Sequence, residues 1–251
     1  MDTPPFLDTN RPEVPNMVVS GGVMPFYLER SPVRGRLVRL GPLADAILSR
    51  HDNPDAVSRL GGEALALVAA MVSALKFKGA FSLQVKGDGP VSMLVADATD
   101  SGDLRFFARL REDADRDALP ETATELLGDG YMDFTIDQGP DMDRHQGIVD
   151  LTGTTLADMA MNYFQTSEQH DCWIRLFCAK SADGWKAGAL VLERIAAEGG
   201  IETTEQDEDA WETACTLAET VTEQEVLDPD LSNERLIHRL FGTLDVRLGT
   251  P

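Results

Sequence analysis

The chain has 251 residues, 43% of them hydrophobic, so it can bury a sizeable core, and wholesale disorder is disfavoured. Its formal net charge of −21 argues against nucleic-acid partners, because phosphate contacts require lysines and arginines. No apolar run is long enough to span a bilayer, and the Pro-rich start from Met1 to Pro15 lacks the basic and apolar regions of a secretion signal. These features predict a cytoplasmic protein without nucleic-acid or membrane partners.

The three cysteines show no spacing typical of a disulfide framework or a metal site, and the four histidines are scattered. Cys172 and Cys178 are six residues apart in a strand-like run. Both are therefore predicted to point to one face, together with Ile174 and Leu176. These two cysteines and Cys215 are interpreted as small buried side chains, so we expect no metal or cofactor in this chain.

The first elements are predicted from capping residues and apolar spacing. Residues 1–22 suggest a flexible arm, and residues 33–40 suggest a first strand, followed by a short helix that ends near Arg50. Asn53-Pro54 is typical of a helix start, with Asn53 as the cap, and predicts a long helix. Gly61-Gly62 should weaken or bend that helix.

Hairpins dominate the middle of the chain. Alternation over residues 81–85 predicts a half-buried strand, and Gly87-Asp88-Gly89-Pro90 predicts a tight turn into residues 91–95. The glycines of this turn could also suggest a phosphate loop. However, they lead into a strand and no Gly-Lys-Ser or Gly-Lys-Thr follows, so the turn is preferred. Further strands are predicted over residues 104–110 and 132–136.

A second helix is predicted to begin with a capping box at Thr155. Residues 172–179 and 185–193 should then pair as another hairpin. Because strands outnumber helices and arrive in hairpins, residues 23–195 predict an α+β core, with mostly antiparallel sheets packed against two longer helices.

The composition changes after Arg194: no lysine or arginine occurs before Arg235, whereas Asp and Glu are abundant. A capping box at Thr204 opens a helix with a narrow apolar stripe, in which Trp211 is the largest side chain. At roughly 25 cal/mol per Å² this stripe should contribute only a few kcal/mol to docking. We therefore predict that residues 196–251 form an acidic helical linker. This linker should be close to balanced between a state docked on the core and a state released from it. Its candidate docking or client-binding residues are Trp211, Leu217, Val221, Leu236, Ile237, Leu240 and Phe241.

No catalytic pattern is convincing. The sequence has no Gly-x-Ser-x-Gly elbow and no His-Glu-x-x-His pair. His145 near Asp133 and Asp143 suggests an acid–base pair only weakly, because a lone histidine at a strand start is usually solvated or structural. We therefore predict that the protein is not an enzyme.

Several runs of residues occur together in an order that resembles one protein family. They are Val33-Arg34-Gly35, the run from Leu75 to Pro90, Gln146-Gly147-Ile148-Val149, Asn162-Tyr163-Phe164-Gln165-Thr166-Ser167-Glu168-Gln169, and Leu236-Ile237-His238-Arg239-Leu240-Phe241. With these runs, the chain resembles the redox-regulated 33-kDa heat-shock holdase chaperones over most of its length. The motif residues expected to be structural are Arg34, Gly35, Phe77, Gly87, Gly89, Tyr163, Phe164, Ser167, Glu168 and Gln169.

The resemblance implies an ATP-independent holdase that binds unfolded or aggregating client proteins, and it is compatible with a homodimer. In the family, a C-terminal cysteine domain holds zinc when reduced and forms disulfides under oxidative stress. This chain stops at Pro251, about where that domain would begin, so we expect the zinc domain to be missing, through truncation or loss of the switch. One zinc ion is expected only if a full-length protein carries that domain. Two alternatives remain: a non-catalytic interaction module for one folded partner, and an enzyme with an unrecognised site.

Overall fold

The structure is a computed structural model that describes residues 22–29, 31–74, 79–137, 145–195 and 204–249. The predicted arm lies outside the described residues except for Gly22, and so does the motif residue Phe77. The elements are, in chain order, β1 (Val23–Leu28), β2 (Val33–Arg39), α1 (Pro42–Leu48), α2 (Asp55–Val72), β3 (Ala80–Gly87), β4 (Val91–Thr99), β5 (Leu104–Leu110), α3 (Ala123–Leu127), β6 (Gly130–Asp137), β7 (His145–Asp150), α4 (Leu156–Ser167), β8 (Cys172–Ser181), β9 (Gly184–Arg194), α5 (Glu205–Glu219), α6 (Glu223–Leu227), α7 (Asn233–Phe241) and β10 (Val246–Leu248).

The strands form two antiparallel sheets, which confirms the predicted α+β class. In the described part of the chain, the first sheet has the order β10-β1-β2-β9-β8 and the second has the order β5-β4-β3-β6-β7. The predicted hairpins β3–β4 and β8–β9 are both present. Five elements were not predicted, namely β1, α3, β7, α6 and β10. Strand β10 pairs with β1 and so adds the end of the acidic segment to the first sheet.

Helix α2 lies between the two sheets and contacts strands of both. It is buried on almost every side, as expected for a helix whose apolar residues surround its axis. The predicted cap at Asn53 is wrong: Pro54 occupies the capping position, and no side chain caps the helix. The two glycines do not interrupt the helix. At each of them a neighbouring side chain approaches the helix backbone so closely that a Cβ would not fit. A Cβ on Gly61 would lie 2.5 Å from the Phe106 ring of β5, and one on Gly62 would lie 2.2 Å from Cys178 Sγ of β8.

The cysteine prediction for β8 is confirmed. Cys178 and Ile174 are buried in the cluster around α2, and Cys172 and Leu176 pack against the same cluster. Burial raises the pKa of the Cys172 and Cys178 thiols to about 12, so both are protonated at neutral pH.

The glycine motif at the end of β3 forms a turn against main chain. Gly89 N donates a hydrogen bond to Leu127 O at 2.9 Å, and a Cβ on Gly87 would lie 1.9 Å from the same oxygen. The Asp88 carboxylate accepts a hydrogen bond from Asp129 N at 2.8 Å. The turn is therefore filled by the chain itself, which supports the structural interpretation of Gly87 and Gly89.

The motif at the end of α4 fixes the turn into β8. Tyr163 OH donates to Glu168 Oε1 at 3.1 Å, and Phe134 packs against the rings of Tyr163 and Phe164, with centroids 4.5 and 5.4 Å away. Ser167 Oγ lies close to Gly147, since a Cβ there would be 2.4 Å from it. Gln169 adopts a left-handed φ of 51°. This conformation turns the chain so that His170 N donates to Phe164 O at 3.0 Å.

This turn also places His170 beside a buried carboxylate on β9. His170 Nε2 lies 3.5 Å from one oxygen of Glu193, and Arg34 Nε donates to the other at 2.8 Å. The buried Arg36 guanidinium also donates to Glu193. Burial alone would raise the pKa of Glu193, but the hydrogen bond from His170 and the charges of Arg36 and Arg34 outweigh it and lower the pKa to about 2. The motif residue Arg34 thus stabilises a buried charge between β2 and β9.

The Glu193 cluster predicts an acid-sensitive contribution to stability. Its folded-state pKa of about 2 lies below the ordinary value of 4.5, so the stabilisation is fully present above pH 4.5 and is lost as pH falls from 4.5 toward 2. Glu193→Gln should lower the free energy of unfolding at neutral pH by about 3 kcal/mol, because Arg36 loses its buried partner. Urea denaturation as a function of pH measures this effect.

The difference between the parent protein and Glu193→Gln should shrink below pH 4.5. Glu112→Gln, in an exposed loop, is the matched control and should change stability little at any pH. An equal difference at neutral and acidic pH would show that Glu193 acts through packing rather than through its charge.

Candidate functional site

The first sheet has two apolar faces, and the linker covers one of them. The face toward α2 belongs to the central core, whereas the opposite face contacts α5, α6 and α7. We call this opposite face the docking face. Its buried apolar side chains are Phe26, Leu28, Val33, Leu37, Phe177, Leu190 and Leu192. A sheet with two apolar faces needs a layer on each, and here the acidic segment supplies the second layer.

The linker buries more apolar surface than the predicted narrow stripe. Within residues 204–249, eight buried side chains join the cluster of the docking face, namely Ala214, Ala218, Val221, Val226, Leu236, Ile237, Leu240 and Phe241. Each large side chain contributes about 1.5–3 kcal/mol when fully buried. The estimate of a few kcal/mol was too low because it counted mainly the stripe of α5, whereas most of the large side chains come from α7.

The predicted docking residues lie together, but at different depths. Val221, Leu236, Ile237, Leu240 and Phe241 are buried, and Trp211 and Leu217 are half-buried at the margin of the cluster. Trp211 is therefore not the deepest anchor that its size suggested. Phe241 is the largest of the linker side chains that are 0% exposed.

Phe241 reaches the sheet through Phe26 and Gly35. Phe26 of β1 and Gly35 of β2 lie directly opposite each other in the antiparallel pair. The Phe26 ring covers Gly35 so closely that a Cβ there would lie 2.1 Å from the ring. Phe241 stacks on the same ring, with centroids 5.2 Å apart and an interplanar angle of 28°. The missing side chain at Gly35 thus gives Phe26 the room on which the stack with Phe241 depends.

A second glycine brings α6 onto the sheet. A Cβ on Gly188 of β9 would lie 2.7 Å from Val226 Cγ1 and 2.6 Å from Val38 O. Beside this contact, a cavity of about 350 Å³ remains between α1, β9 and the connection after α6. It is lined mainly by Pro42, Trp185, Val226 and Pro229, with Arg39 at its side.

Three arginines of the first sheet bind the linker. Arg39 donates to Glu225 O at 2.8 Å and also to Leu231 O. Arg175 donates to Glu219 O at 2.9 Å, and Arg194 donates to the Glu208 carboxylate at 2.6 Å. The acidic linker therefore meets cations of the core, which offsets part of the repulsion among its own charges.

The linker also has local order of its own. Capping boxes begin α5 at Thr204 and α6 at Thr222. Arg239 of α7 donates to the Glu225 carboxylate at 2.6 Å, which joins α7 to α6. At its far end, Arg247 of β10 pairs with Glu29. The cover is thus a set of short folded pieces held to one sheet.

Sequence reasoning did not single out Phe26, Arg39 or Arg175. The available signal was Gly35 within the motif: alternate positions of its strand, at 33, 37 and 39, share its face. The partners of these residues come from distant parts of the chain, so spacing alone does not reveal them.

The described residues do not form an evident reaction centre. Among them, no group of three or more His, Cys, Asp or Glu could hold a metal ion. Burial also raises the pKa of Cys215 to about 12, like the other two thiols, whereas zinc binds thiolates. The side chains of Asp143 and His145 lie outside the described part, and no described helix has the length and apolarity to cross a membrane. The linker instead covers an apolar surface of the first sheet.

The comparisons with known proteins agree with this architecture. The family model described as Hsp33 protein matches residues 22–251. The 33 kDa chaperonin of Caulobacter vibrioides (strain NA1000 / CB15N) is 41% identical over 239 residues, which cover 92% of this chain and 78% of the relative. The 33 kDa chaperonin of Pseudomonas fluorescens (strain SBW25) is 35% identical over 223 residues, which cover 89% and 71%.

A solved structure supports the fold. The crystal structure of the 33 kDa chaperonin (heat shock protein 33 homolog) from Thermotoga maritima matches with a TM-score of 0.70 at 20% identity, covering 91% of this chain and 78% of that chain. The resemblance drawn from the sequence motifs is confirmed by the family match and by the sequence relatives. The chain belongs to the Hsp33 family of heat-shock chaperones.

Proposed function

We propose that this chaperone is an ATP-independent holdase that captures unfolding client proteins on the docking face after the linker leaves it. The observation that carries the proposal is the cover itself: an apolar sheet face lies under an acidic segment that forms three helices. An exposed apolar surface of this kind marks a protein-binding site. The hydrophobic effect is non-directional, so the same face can hold unrelated clients.

The net charge supports the same function. A value of −21 keeps a protein with an exposed apolar face dispersed, together with its clients. The proposal places the protein in the cytoplasm, in line with three unpaired cysteines among the described residues. A homodimer stays a prediction. The proposal of ATP independence rests on the glycine turn, which leads into β4 and packs on the main chain of Leu127.

Redox regulation through zinc belongs to the proposal only for a protein that carries the family's C-terminal cysteine domain. Cys172, Cys178 and Cys215 do not fit such a switch, because burial raises the pKa of each thiol to about 12. Protonated thiols are poor metal ligands and react slowly with oxidants. Within the described part of the chain, client binding would instead be controlled by docking and release of the linker.

The first prediction of this proposal concerns aggregation. The purified chain should suppress light scattering of a heat-unfolding client at equimolar ratio without ATP, because the linker opens before the core. Two unrelated clients should be tested, since a module for one folded partner would protect at most one of them. Unchanged scattering for both clients would show that the protein is not a holdase.

The second prediction concerns the anchor of the cover. Phe241→Ala should weaken linker docking by about 3–5 kcal/mol, because it empties a fully buried aromatic site. Client binding at room temperature should rise, and a glutamate-specific protease should cleave α5 faster than in the parent. Trp211→Ala should have a smaller effect, because Trp211 is only half-buried.

The matched control is Phe106→Ala, which empties a similar site in the cluster around α2. That variant should lower the stability of the whole protein while the linker stays docked. If α5 in Phe241→Ala remains as protected as the core until global unfolding, the linker is not a separable cover.

A further inference from the structure

The centre of the docking face is apolar, and two of the three arginines that bind the linker there contact main chain rather than side chains. Arg39 of β2 donates to Glu225 O at 2.8 Å and to Leu231 O. Arg175 of β8 donates to Glu219 O at 2.9 Å. Arg194 differs, because it binds the carboxylate of Glu208.

Two of the three carbonyl acceptors lie at the ends of helices, and the third, Leu231 O, lies in the connection between α6 and α7. Glu219 is the last residue of α5, and Glu225 lies in the last turn of α6. The last carbonyls of a helix have no partner within it and lie at the negative end of its dipole. Such acceptors do not depend on the side chains of the bound segment, so any unfolded chain can supply them.

The two arginines lie on either side of β9 in neighbouring rows of the sheet. Arg39 is opposite Gly188, and Arg175 is opposite Leu190, two residues along the same strand. Buried apolar side chains such as Leu190 therefore lie between the two guanidinium groups. A chain lying across this surface meets an apolar strip with a cationic donor at each side.

Arg39 also has unused capacity. Among the described residues, its Nε is one of two buried side-chain nitrogen or oxygen atoms without a hydrogen-bond partner. A guanidinium group carries five N–H donors, and leaving them unmet beside an apolar surface costs free energy. When the linker leaves, Arg39 loses its two carbonyl acceptors, and a client that supplies carbonyls recovers that loss.

We propose that Arg39 and Arg175 recognise the main chain of the client, binding its free carbonyl oxygens as they bind those of the linker. This inference rests on the proposed holdase function and defines its ligand class. The face selects polypeptide with unpaired carbonyls, independent of its sequence. Folded proteins are disfavoured because most of their carbonyls are already paired and only helix ends and loops leave some free. Apolar molecules without carbonyl acceptors bind without help from the arginines.

The test uses the full chain carrying Phe241→Ala, in which the linker is released. Arg39→Met and Arg175→Met are added singly, because methionine keeps apolar bulk but removes the donors. Arg109→Met, on β5 of the second sheet, is the control with the same change in charge. The probes are a synthetic peptide of Leu, Phe, Gly and Ser with blocked termini, which has carbonyls but no charge, and the uncharged dye Nile red.

Each substitution at Arg39 or Arg175 should weaken peptide binding about tenfold, as expected for one lost hydrogen bond to a charged donor. Nile red binding should not change, and Arg109→Met should alter neither probe. Arg175 is exposed, so its substitution keeps the test decisive if Arg39→Met does not fold.

Three results would overturn the proposal in distinguishable ways. If Phe241→Ala binds neither probe better than the parent, the linker covers no binding face, and the holdase proposal fails as well. If Phe241→Ala binds peptide but Arg39→Met and Arg175→Met bind it equally well, only the main-chain proposal fails. If peptide and dye binding fall together, the arginines maintain the shape of the face and do not recognise carbonyls.

Discussion

The docked state depends on one stack of three residues: Gly35 in the sheet, the Phe26 ring over it, and Phe241 of the linker over the ring. Gly35 has no side chain, so Phe26 can lie flat on β2, with space for no more than a hydrogen beneath it. The same ring stacks with Phe241. The same strand holds the other end of the linker, because Phe26 is paired with Leu248 of β10. Two attachments of the C-terminal segment therefore pass through β1.

The protein has two apolar clusters that meet at the first sheet but are held together differently. The cluster around α2 draws on both sheets, and the buried Glu193 with its two arginines ties β2 to β9 beside it. The cluster of the docking face draws half of its side chains from the linker. The proposed release of the linker would expose one face of the sheet while the α2 side stays packed. Because the two clusters are separate, the linker can open locally, at a lower free energy than the unfolding of the core.

Local patterns predicted the elements well where the cause of the structure is local. The capping boxes at Thr155 and Thr204 are present because both partners lie within four residues of each other. Strand β1 was missed because Val23–Leu28 contains Pro25 and does not alternate polar with apolar residues. Strand β10 has three residues, too few to show a period.

Contacts between distant parts of the chain explain the remaining differences. Gly61 and Gly62 suggested a weak helix, but the Phe106 ring and Cys178 occupy the space that side chains would need. The depth of linker docking was underestimated because α6 and α7 join the face only in three dimensions. The roles of Arg39 and Arg175 depend on carbonyls of the linker, and no residue pattern marks such acceptors in a sequence.

Native-state hydrogen exchange read by mass spectrometry tests the central claim, that the linker is a cover which opens apart from the core. In low denaturant, amides of α5, α6, α7 and β10 should exchange together and at a lower free energy of opening than those of α2 and β9. The amides of β1 that face β10 should exchange together with those of the linker, because β10 separates from β1 when the linker opens. If the linker helices exchange only with α2, at the free energy of global unfolding, the linker is a permanent layer of the fold and the account is contradicted.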